Sequence, residues 1–258
     1  MKIGFIGMGN MAGALAAGFT KSGLVAKEDI SAYAPTYEKL LKNSEKYGFI
    51  PVRSVTELVK GAELIIMACK PYQIEGVLNE TKDLLKGKML LSVAAGWVFD
   101  RYEAILGDGT GIQCIMPNTP ALVGEGVFLF EKKNTFGTEV NDFVRTLFSK
   151  LGLVEELPTE LMGIGGAVSG CGPAFMDMIM EAYGDAAVKY GISRDTAYRL
   201  VAQTMLGSAK LQLETGSHPG VLKDAVCSPK GTTIRGVASL EKSGLRSACI
   251  ESIDSIMK

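Results

Sequence analysis

Short apolar runs alternate with longer amphipathic stretches through the first part of the chain. Apolar runs of this length are typical of strands buried on both faces, and the longer stretches, such as Tyr37–Lys46 and Gln73–Leu85, are typical of helices. Regular alternation of the two predicts a doubly wound parallel sheet, and therefore an α/β fold. The predicted strands are Lys2–Ile6, Ile30–Ala34, Ile50–Val52, Leu64–Ala68 and Met89–Val93, with Gly111–Met116, Gly126–Phe130 and Val154–Leu157 extending the sheet.

The pattern changes near Leu157. Beyond it, apolar residues recur at helical spacing and β-rich runs are few. We therefore predict an α/β domain over residues 1–157 and an all-α domain over residues 158–258. The predicted helices are Phe175–Tyr190, Arg194–Leu213 and two shorter stretches after Pro219 and Pro229, with Gly191, Gly216 and Gly244 as stops.

Helices of the second domain carry apolar or small residues on more than one face. The stretch that contains Met176, Met178, Ile179 and Ala182 is an example. A helix that is apolar on all sides needs cover on all sides. We predict a homodimer built through this domain; a higher homo-oligomer and packing against the first domain alone are the alternatives.

Composition excludes several classes of protein. Apolar residues make up 47% and charged residues 21%, with a net charge of −1 and no basic stripe, which disfavours nucleic acid and membrane partners. No apolar stretch reaches the roughly 20 residues needed to span a bilayer. Five cysteines without a C-x-x-C pair and one histidine predict no metal site and a reducing, cytoplasmic location.

Glycines follow the first predicted strand and precede a helical stretch. Gly7 permits a tight turn, Gly9 allows close approach of a pyrophosphate, and the small side chain of Ala12 allows helix and strand to pack. This order predicts a Rossmann-type dinucleotide-binding domain. The residues expected to contact the dinucleotide at this turn are Ile6, Gly7, Gly9, Asn10 and Met11.

The end of the second predicted strand reads Tyr33-Ala34-Pro35-Thr36 and lacks the carboxylate that commonly holds the ribose of NAD. Thr36, Lys39 or Arg53 could contact a 2′-phosphate instead, so we predict NADPH, with NADH as the alternative. The two basic residues could equally be solvated surface charges. Ala34 and Pro35 are counted with Thr36 among the cofactor contacts.

The fourth predicted strand ends in Ala68-Cys69-Lys70-Pro71. Ligands of doubly wound sheets bind beyond the carboxyl ends of the strands. We therefore expect Ala68, Lys70 and Pro71 to line the cofactor crevice near the nicotinamide ribose. A merely solvated lysine is the alternative for Lys70.

Further segments are harder to explain as packing: Ser92–Gly96, Met116–Ala121, Ser169–Ala174 and Ser228–Thr233. In order, and together with the glycine turn, they resemble the pyrroline-5-carboxylate reductase family of proline synthesis over essentially the whole chain. The resemblance implies an NAD(P)H-dependent oxidoreductase that reduces a cyclic C=N bond. It also implies cofactor contacts at Ala94, Ala95, Gly96, Pro117 and Asn118, and substrate contacts at Cys171, Lys230, Gly231, Thr232 and Thr233.

Two positions depart from the family pattern. Cys114 stands where the family usually has arginine, and Lys230 stands where it usually has glycine. A side chain at position 230 disfavours any positive φ there, and its charge lies beside the expected substrate loop. These departures are what favour one alternative, a non-catalytic NADP-binding regulator of the same fold.

Reduction of an imine requires few catalytic side chains, because the cofactor supplies the hydride. The resemblance assigns Thr233 as the catalytic residue, a hydrogen-bond partner of the ring nitrogen. Backbone N–H groups of the Ser228–Thr233 loop are expected to hold the substrate carboxylate. The alternative for this loop is a plain helix start, with Ser228 as N-cap and Pro229 as first residue.

Other candidate residues have simpler interpretations. His218 has no matching partner in the sequence and is expected to be structural, and Asp224 is expected to cap or to pair. A β-hydroxyacid dehydrogenase is a further alternative, but that family typically has a catalytic lysine on a long helix of its second domain. No lysine occurs in Ser169–Val188, which counts against it.

Overall fold

A computed structural model describes every residue from Met1 to Lys258. The chain forms two compact units, Met1–Pro173 and Ala174–Lys258. The strands are β1 (Ile3–Ile6), β2 (Ile30–Tyr33), β3 (Ile50–Pro51), β4 (Leu64–Met67), β5 (Met89–Ser92), β6 (Gly111–Pro117), β7 (Gly126–Glu131) and β8 (Gly152–Leu157). The helices are α1 (Asn10–Lys21), α2 (Tyr37–Tyr47), α3 (Val55–Gly61), α4 (Ile74–Leu85), α5 (Phe99–Leu106), α6 (Thr138–Ser149), α7 (Met162–Ser169), α8 (Gly172–Lys189), α9 (Arg194–Thr215), α10 (Pro219–Ala225), α11 (Thr232–Lys242) and α12 (Leu245–Met257).

The eight strands form one sheet in the order β3-β2-β1-β4-β5-β6-β7-β8. The predicted doubly wound α/β fold is confirmed, with one difference in strand direction. β7 runs antiparallel to β6, and Ile115 pairs with Phe130. The connection between these strands holds only the short helical turn Thr119–Val123, which is too short for the crossover that a parallel strand requires.

The centre of the sheet is buried on both faces. All four residues of β1 and of β4 are buried, as expected for parallel strands covered by helices. On one face, Phe19 of α1 packs edge-to-face on Phe148 of α6, with ring centres 5.2 Å apart. On the other face, Trp97 and Tyr102 pack together beside α5, with ring centres 4.9 Å apart. These two apolar layers cover the two faces of the sheet.

The second unit is helical, which confirms the predicted all-α region. Helix α9 ends at Gly216, which adopts the left-handed conformation, and Gly191 and Gly244 have positive φ where other helices end or begin. Few of its side chains are buried, and many large apolar side chains are exposed. The more exposed of these include Met178, Tyr190, Leu213, Val221, Val226 and Ile250. None of the helices is both long enough and apolar enough to cross a membrane.

The domain boundary predicted after residue 157 remains a prediction. The compact units divide after Pro173, because α7 packs on β6 and β7 of the first unit. A Cβ atom on Gly165 or Gly166 of α7 would lie within 3 Å of side chains from those strands, so small residues let this helix approach the sheet.

Candidate functional site

Strand β1 ends in a turn that packs closely against the backbone at the end of β4. Gly7 has φ 94°, in the left-handed region that glycine adopts without strain. A Cβ atom here would lie 2.6 Å from the backbone nitrogen of Cys69 and 2.7 Å from the carbonyl carbon of Ala68. The N–H of Gly7 donates to the carbonyl of Tyr33, 2.8 Å away. The carboxyl ends of β1, β2 and β4 therefore meet at a position that only glycine fits.

Helix α1 begins after this turn with unpartnered backbone donors. Its N-cap is Gly9, which provides no side-chain cap, and the N–H groups of Asn10 and Met11 have no acceptor within the protein. A Cβ atom on Gly9 would meet nothing within 4 Å, so the space before the helix is open. Ala12 is 1% exposed, and its small side chain lets the helix lie close to the sheet. Free N–H groups at the positive end of a helix bind phosphate, and the turn therefore fits a dinucleotide pyrophosphate.

Positive charge lies near the end of the second strand. Thr36 is the N-cap of α2 and its side chain makes no capping hydrogen bond. The guanidinium carbon of Arg53 lies 4.2 Å from the ring centre of Tyr37, the first residue of α2. Stacking thus holds Arg53 near the N-terminus of this helix, where both groups would attract a 2′-phosphate. Lys39 is exposed on the same helix.

The residues after β4 lie at the same edge. The N–H of Ala68 donates to the carbonyl of Ile6 at 2.8 Å, and Lys70 and Pro71 follow on the exposed side. Burial raises the pKa of the Cys69 thiol to about 11, and its Sγ lies 3.6 Å from Sδ of Met67. The raised pKa keeps this thiol mainly protonated at neutral pH, and the thiol packs against Met67.

A turn after β5, which we call the Ala94–Trp97 turn, presents open backbone at this edge. The N–H of Trp97 donates to the carbonyl of Ala94 at 3.3 Å, and Gly96 has φ 75°. A positive φ at the third position of a turn is the place for glycine. Ala95 and Gly96 are exposed, and a Cβ atom on Gly96 would meet nothing within 4 Å.

Asn118 connects the end of β6 to two other segments. It follows Pro117 and is 6% exposed. Its Oδ1 accepts from the N–H of Val127 at 2.8 Å, and its Nδ2 donates to the carbonyl of Ser169 at 2.9 Å. Ser169 ends α7 shortly before the exposed Cys171. The side chain of Asn118 therefore holds together two of the segments that carry the family resemblance.

In the second unit, Ser228 to Gly231 form a tight turn before α11. The N–H of Gly231 donates to the carbonyl of Ser228 at 3.0 Å, with Pro229 and Lys230 between them. Lys230 has φ 61° and is the one non-glycine residue of the chain with positive φ. The alternative in which Ser228 caps the helix and Pro229 begins it is wrong. The turn comes first, and α11 begins at Thr232 with Gly231 as its N-cap.

The start of α11 has the properties of an anion site. No side chain caps it, and the N–H groups of Thr232 and Thr233 have no acceptor in the protein. Both threonines are exposed, and the ammonium group of the exposed Lys230 precedes them. A carboxylate at this helix end would meet free N–H donors, a positive helix terminus and a cation.

Two other candidate residues have structural partners. Nδ1 of His218, the N-cap of α10, accepts from the N–H of Gly220 at 3.1 Å, and Oδ1 of Asp224 pairs with Nζ of Lys223 at 2.7 Å. Asp224 therefore pairs, as predicted, and His218 caps α10, while its structural role remains a prediction. No cluster of three or more His, Cys, Asp or Glu side chains has metal-binding geometry.

Sequence comparison identifies relatives over the whole length. A model of the pyrroline-5-carboxylate reductase dimerisation domain matches residues 159–258, and a model of NADP oxidoreductases, coenzyme F420-dependent, matches residues 2–96. The chain is 40% identical to the pyrroline-5-carboxylate reductase of Escherichia coli over 258 residues, covering 100% of this chain and 96% of that one. The chain belongs to the pyrroline-5-carboxylate reductase family. The Treponema pallidum member is 39% identical over 257 residues, covering 98% of this chain and 97% of its own.

Solved structures of the pyrroline-5-carboxylate reductase family have the same fold. The Plasmodium falciparum pyrroline carboxylate reductase, crystallised with NADP bound, superposes with a TM-score of 0.90 at 32% identity, covering 99% of this chain and 95% of that one. A Mycobacterium tuberculosis 3-hydroxyisobutyrate dehydrogenase shares only the fold, at 16% identity, a TM-score of 0.53 and coverage of 84% of this chain and 72% of its own.

Two buried side chains near the Ala94–Trp97 turn are absent from the predicted set of site residues. Tyr102 contacts a residue 10 positions away, and Glu131 contacts one 32 positions away. Neither pair forms a local motif, so sequence spacing gives no sign of them. The one signal in the sequence is a glutamate at the end of the otherwise apolar segment Gly126–Glu131. In the structure this glutamate is buried.

Proposed function

We propose that this protein reduces 1-pyrroline-5-carboxylate to L-proline with NADPH, the last step of proline synthesis. The observation that carries the proposal is the 40% identity to the Escherichia coli reductase over 258 residues, a match that spans both the glycine turn and the substrate loop. When bound, NADPH supplies the hydride for the C=N carbon.

The proposed cofactor site is the edge where β1, β2, β4, β5 and β6 end. The free N–H groups of α1 are proposed to hold the pyrophosphate, and the Ala68–Pro71 segment and the Ala94–Trp97 turn are proposed to line the nicotinamide side. The residues proposed to contact the cofactor are Ile6, Gly7, Gly9, Asn10, Met11, Ala34, Pro35, Thr36, Ala68, Lys70, Pro71, Ala94, Ala95, Gly96, Pro117 and Asn118.

A preference for NADPH over NADH is part of the proposal. No carboxylate occupies the residues directly after β2, and Arg53 is held near the N-terminus of α2 by its stacking on Tyr37. A 2′-phosphate would gain a charge-assisted hydrogen bond there, whereas a 2′-hydroxyl would gain much less.

The proposed substrate site is the start of α11. The N–H groups of Gly231, Thr232 and Thr233 are proposed to hold the substrate carboxylate, and the side chain of Lys230 is proposed to add positive charge beside them. Cys171, in the first unit, is a separate proposed substrate contact. Several donors around one carboxylate would fix the orientation of the acid group of the substrate.

Thr233 is the proposed catalytic residue. Its hydroxyl makes no hydrogen bond within the protein and is exposed beside the proposed site for the substrate carboxylate. It is therefore free to form a hydrogen bond with the ring nitrogen of the substrate. An iminium substrate already carries the proton that the product amine retains. No general acid is then required, and the threonine orients the ring and stabilises the N–H.

The protein is proposed to act as a homodimer in the cytoplasm, without a nucleic acid partner. Apolar side chains such as Met178, Leu213 and Ile250 are more than 60% exposed on the helical unit, and a second copy would cover them. All five cysteines are free thiols, as expected in a reducing compartment. Light scattering should give twice the chain mass of 27.4 kDa; the mass of a single chain would exclude the dimer.

The proposal is tested by turnover of purified variants. Thr233→Ala should lower kcat about tenfold to a hundredfold, because one hydrogen bond to a charged group is lost, while the Kd for NADPH stays unchanged. Thr233→Ser keeps the hydroxyl and is the matched control, with an expected loss of less than about threefold. Unchanged kcat in Thr233→Ala would remove this residue from the chemistry. Binding of NADPH without any turnover by the wild-type protein would instead favour a regulator.

A further inference from the structure

The Ala94–Trp97 turn is fixed at its start by two buried hydroxyl groups. The N–H of Ala94 donates to Oγ of Ser92 at 3.2 Å. Oγ of Ser92 in turn lies 2.7 Å from the hydroxyl oxygen of Tyr102, and the two share a hydrogen bond. Ser92 is 1% exposed and Tyr102 is 0% exposed, so water does not compete for these groups.

Aromatic packing surrounds the Ser92–Tyr102 pair. The ring of Tyr102 packs against Trp97, which closes the turn, and the guanidinium carbon of Arg101 lies 3.9 Å from the Trp97 ring centre on the outer side. Burial raises the pKa of Tyr102 far above its usual value, so the hydroxyl keeps its proton throughout the working range.

A buried carboxylate fixes the other end of the same connection. Oε2 of Glu131 accepts from the N–H of Phe99, the first residue of α5, at 2.8 Å. Oε1 accepts from the hydroxyl of Thr159 at 2.6 Å, and the thiol of Cys114 also contacts the carboxylate. Glu131 is 0% exposed and forms no ion pair. These donors and the positive end of α5 take the place of a cation.

The register of the sheet brings these groups together. Ser92 on β5 pairs with Cys114 on β6, and the Cys114 thiol faces Glu131 at the end of β7. The side chains of Ser92, Tyr102, Cys114 and Glu131 form a group that we call the polar row under α5. This row therefore fixes both ends of the connection from β5 to α5. Only Ala95 and Gly96 lie exposed between the two anchors.

We propose that Tyr102 and Glu131 are positioning residues for the dinucleotide site, acting through Ala94 and Phe99 on the conformation of the Ala94–Trp97 turn. The inference rests on the proposed function only in placing the dinucleotide against this turn. Tyr102 acts through Ser92, and Glu131 acts on the first N–H of α5. Both side chains are 0% exposed, so neither is placed to contact cofactor or substrate.

The test uses the single tryptophan of the chain, Trp97, as the reporter. NADPH absorbs where tryptophan emits, so titration of the wild-type protein with NADPH gives a Kd from the quenching of Trp97, independently of turnover. Tyr102→Phe removes one oxygen and keeps the ring. Its Kd for NADPH should rise about threefold to tenfold, as should the KM for NADPH, with the KM for the imine unchanged.

Matched variants separate positioning from general stability. Thr110→Val removes a buried hydroxyl that donates to the carbonyl of Leu85 at 3.1 Å, at the opposite ends of the strands, and should lower Tm without changing the Kd. Glu131→Ala should raise the Kd as Tyr102→Phe does. Glu131→Gln should restore it to within about threefold of wild type, because an amide oxygen can still accept from Phe99 and its N–H₂ can donate to Thr159.

Each outcome decides the question. A Kd for Tyr102→Phe within about twofold of wild type, or an equal rise in Thr110→Val, would overturn the proposal. If Glu131→Ala does not fold, Tyr102→Phe alone decides. If the wild-type protein binds NADPH but does not reduce the imine, the proposed function fails while the Kd values still test the positioning role.

Discussion

Replacing Lys230 with glycine should stabilise the protein. Lys230 is the third residue of the Ser228–Gly231 turn, after Pro229, and has φ 61°. A turn with proline second and positive φ third is of type II, in which glycine is the preferred third residue. Twelve other residues with positive φ are all glycines. The lysine Cβ is therefore held in a conformation that side chains disfavour.

The magnitude follows from two opposing terms. The left-handed conformation costs an L-residue about 1–2 kcal/mol. Glycine loses about 0.5–1 kcal/mol more than other residues when its backbone is fixed. The difference predicts a gain in the free energy of unfolding of about 0.5–1 kcal/mol for Lys230→Gly. In a chain of this length that corresponds to a rise in Tm of about 1–4 °C.

Thermal and denaturant unfolding of wild type, Lys230→Gly and Lys230→Ala at equal protein concentration would measure this gain. Lys230→Ala is the matched control, because it removes the charge but keeps the Cβ atom. Only the glycine variant should be more stable. If both variants gain equally, the charge and not the backbone is the cause. If Lys230→Gly is less stable than wild type, the reasoning is refuted.

Two substitutions and one measurement of thiol reactivity test the site further. Gly7→Ala should abolish NADPH binding or folding, because the new Cβ would lie 2.6 Å from the nitrogen of Cys69. Gly61→Ala is the control, since its Cβ would meet nothing within 4 Å, and it should bind NADPH normally. Tight binding of NADPH by Gly7→Ala would contradict the turn geometry. Arg53→Ala should raise the KM for NADPH about tenfold and leave that for NADH unchanged, and an equal rise for both would exclude a 2′-phosphate contact. Because its pKa is raised to about 11, Cys69 should be alkylated slowly at neutral pH, with a rate that rises with pH until that value; rapid alkylation at neutral pH would be inconsistent with this pKa.

The dinucleotide turn could be predicted because its determinants are local. The positions of Gly7, Gly9 and Ala12 relative to one strand and one helix set the geometry, and the structure places each of them as expected. Most strands could be predicted for the same reason, since the shortness of each apolar run and its turn residues favour a strand over a helix.

Features that depend on pairing between distant segments are harder to predict from the sequence. The antiparallel direction of β7 follows from a connection too short for a crossover, a signal that lies in loop length rather than in apolar pattern. The start of α11 was ambiguous because proline suits both the first residue of a helix and the second residue of a turn. A positive φ at Lys230 decides for the turn, and nothing in the local sequence favours that conformation for lysine.

The polar row under α5 could not be predicted from spacing at all. Tyr102, Cys114 and Glu131 come from three different elements, and only the register of the sheet brings them together. Cys114 illustrates the limit most clearly. In the sequence it is a departure from the family pattern, whereas in the structure its thiol is a buried donor beside a carboxylate.

The most direct test of the proposed function is the stoichiometry of a single reaction. Purified protein is mixed with NADPH and pyrroline-5-carboxylate, and both the loss of NADPH absorbance and the formation of proline are measured. We expect one proline for each NADPH oxidised and no oxidation without the imine. Binding of NADPH, seen by quenching of Trp97, with no proline formed above background would contradict this expectation.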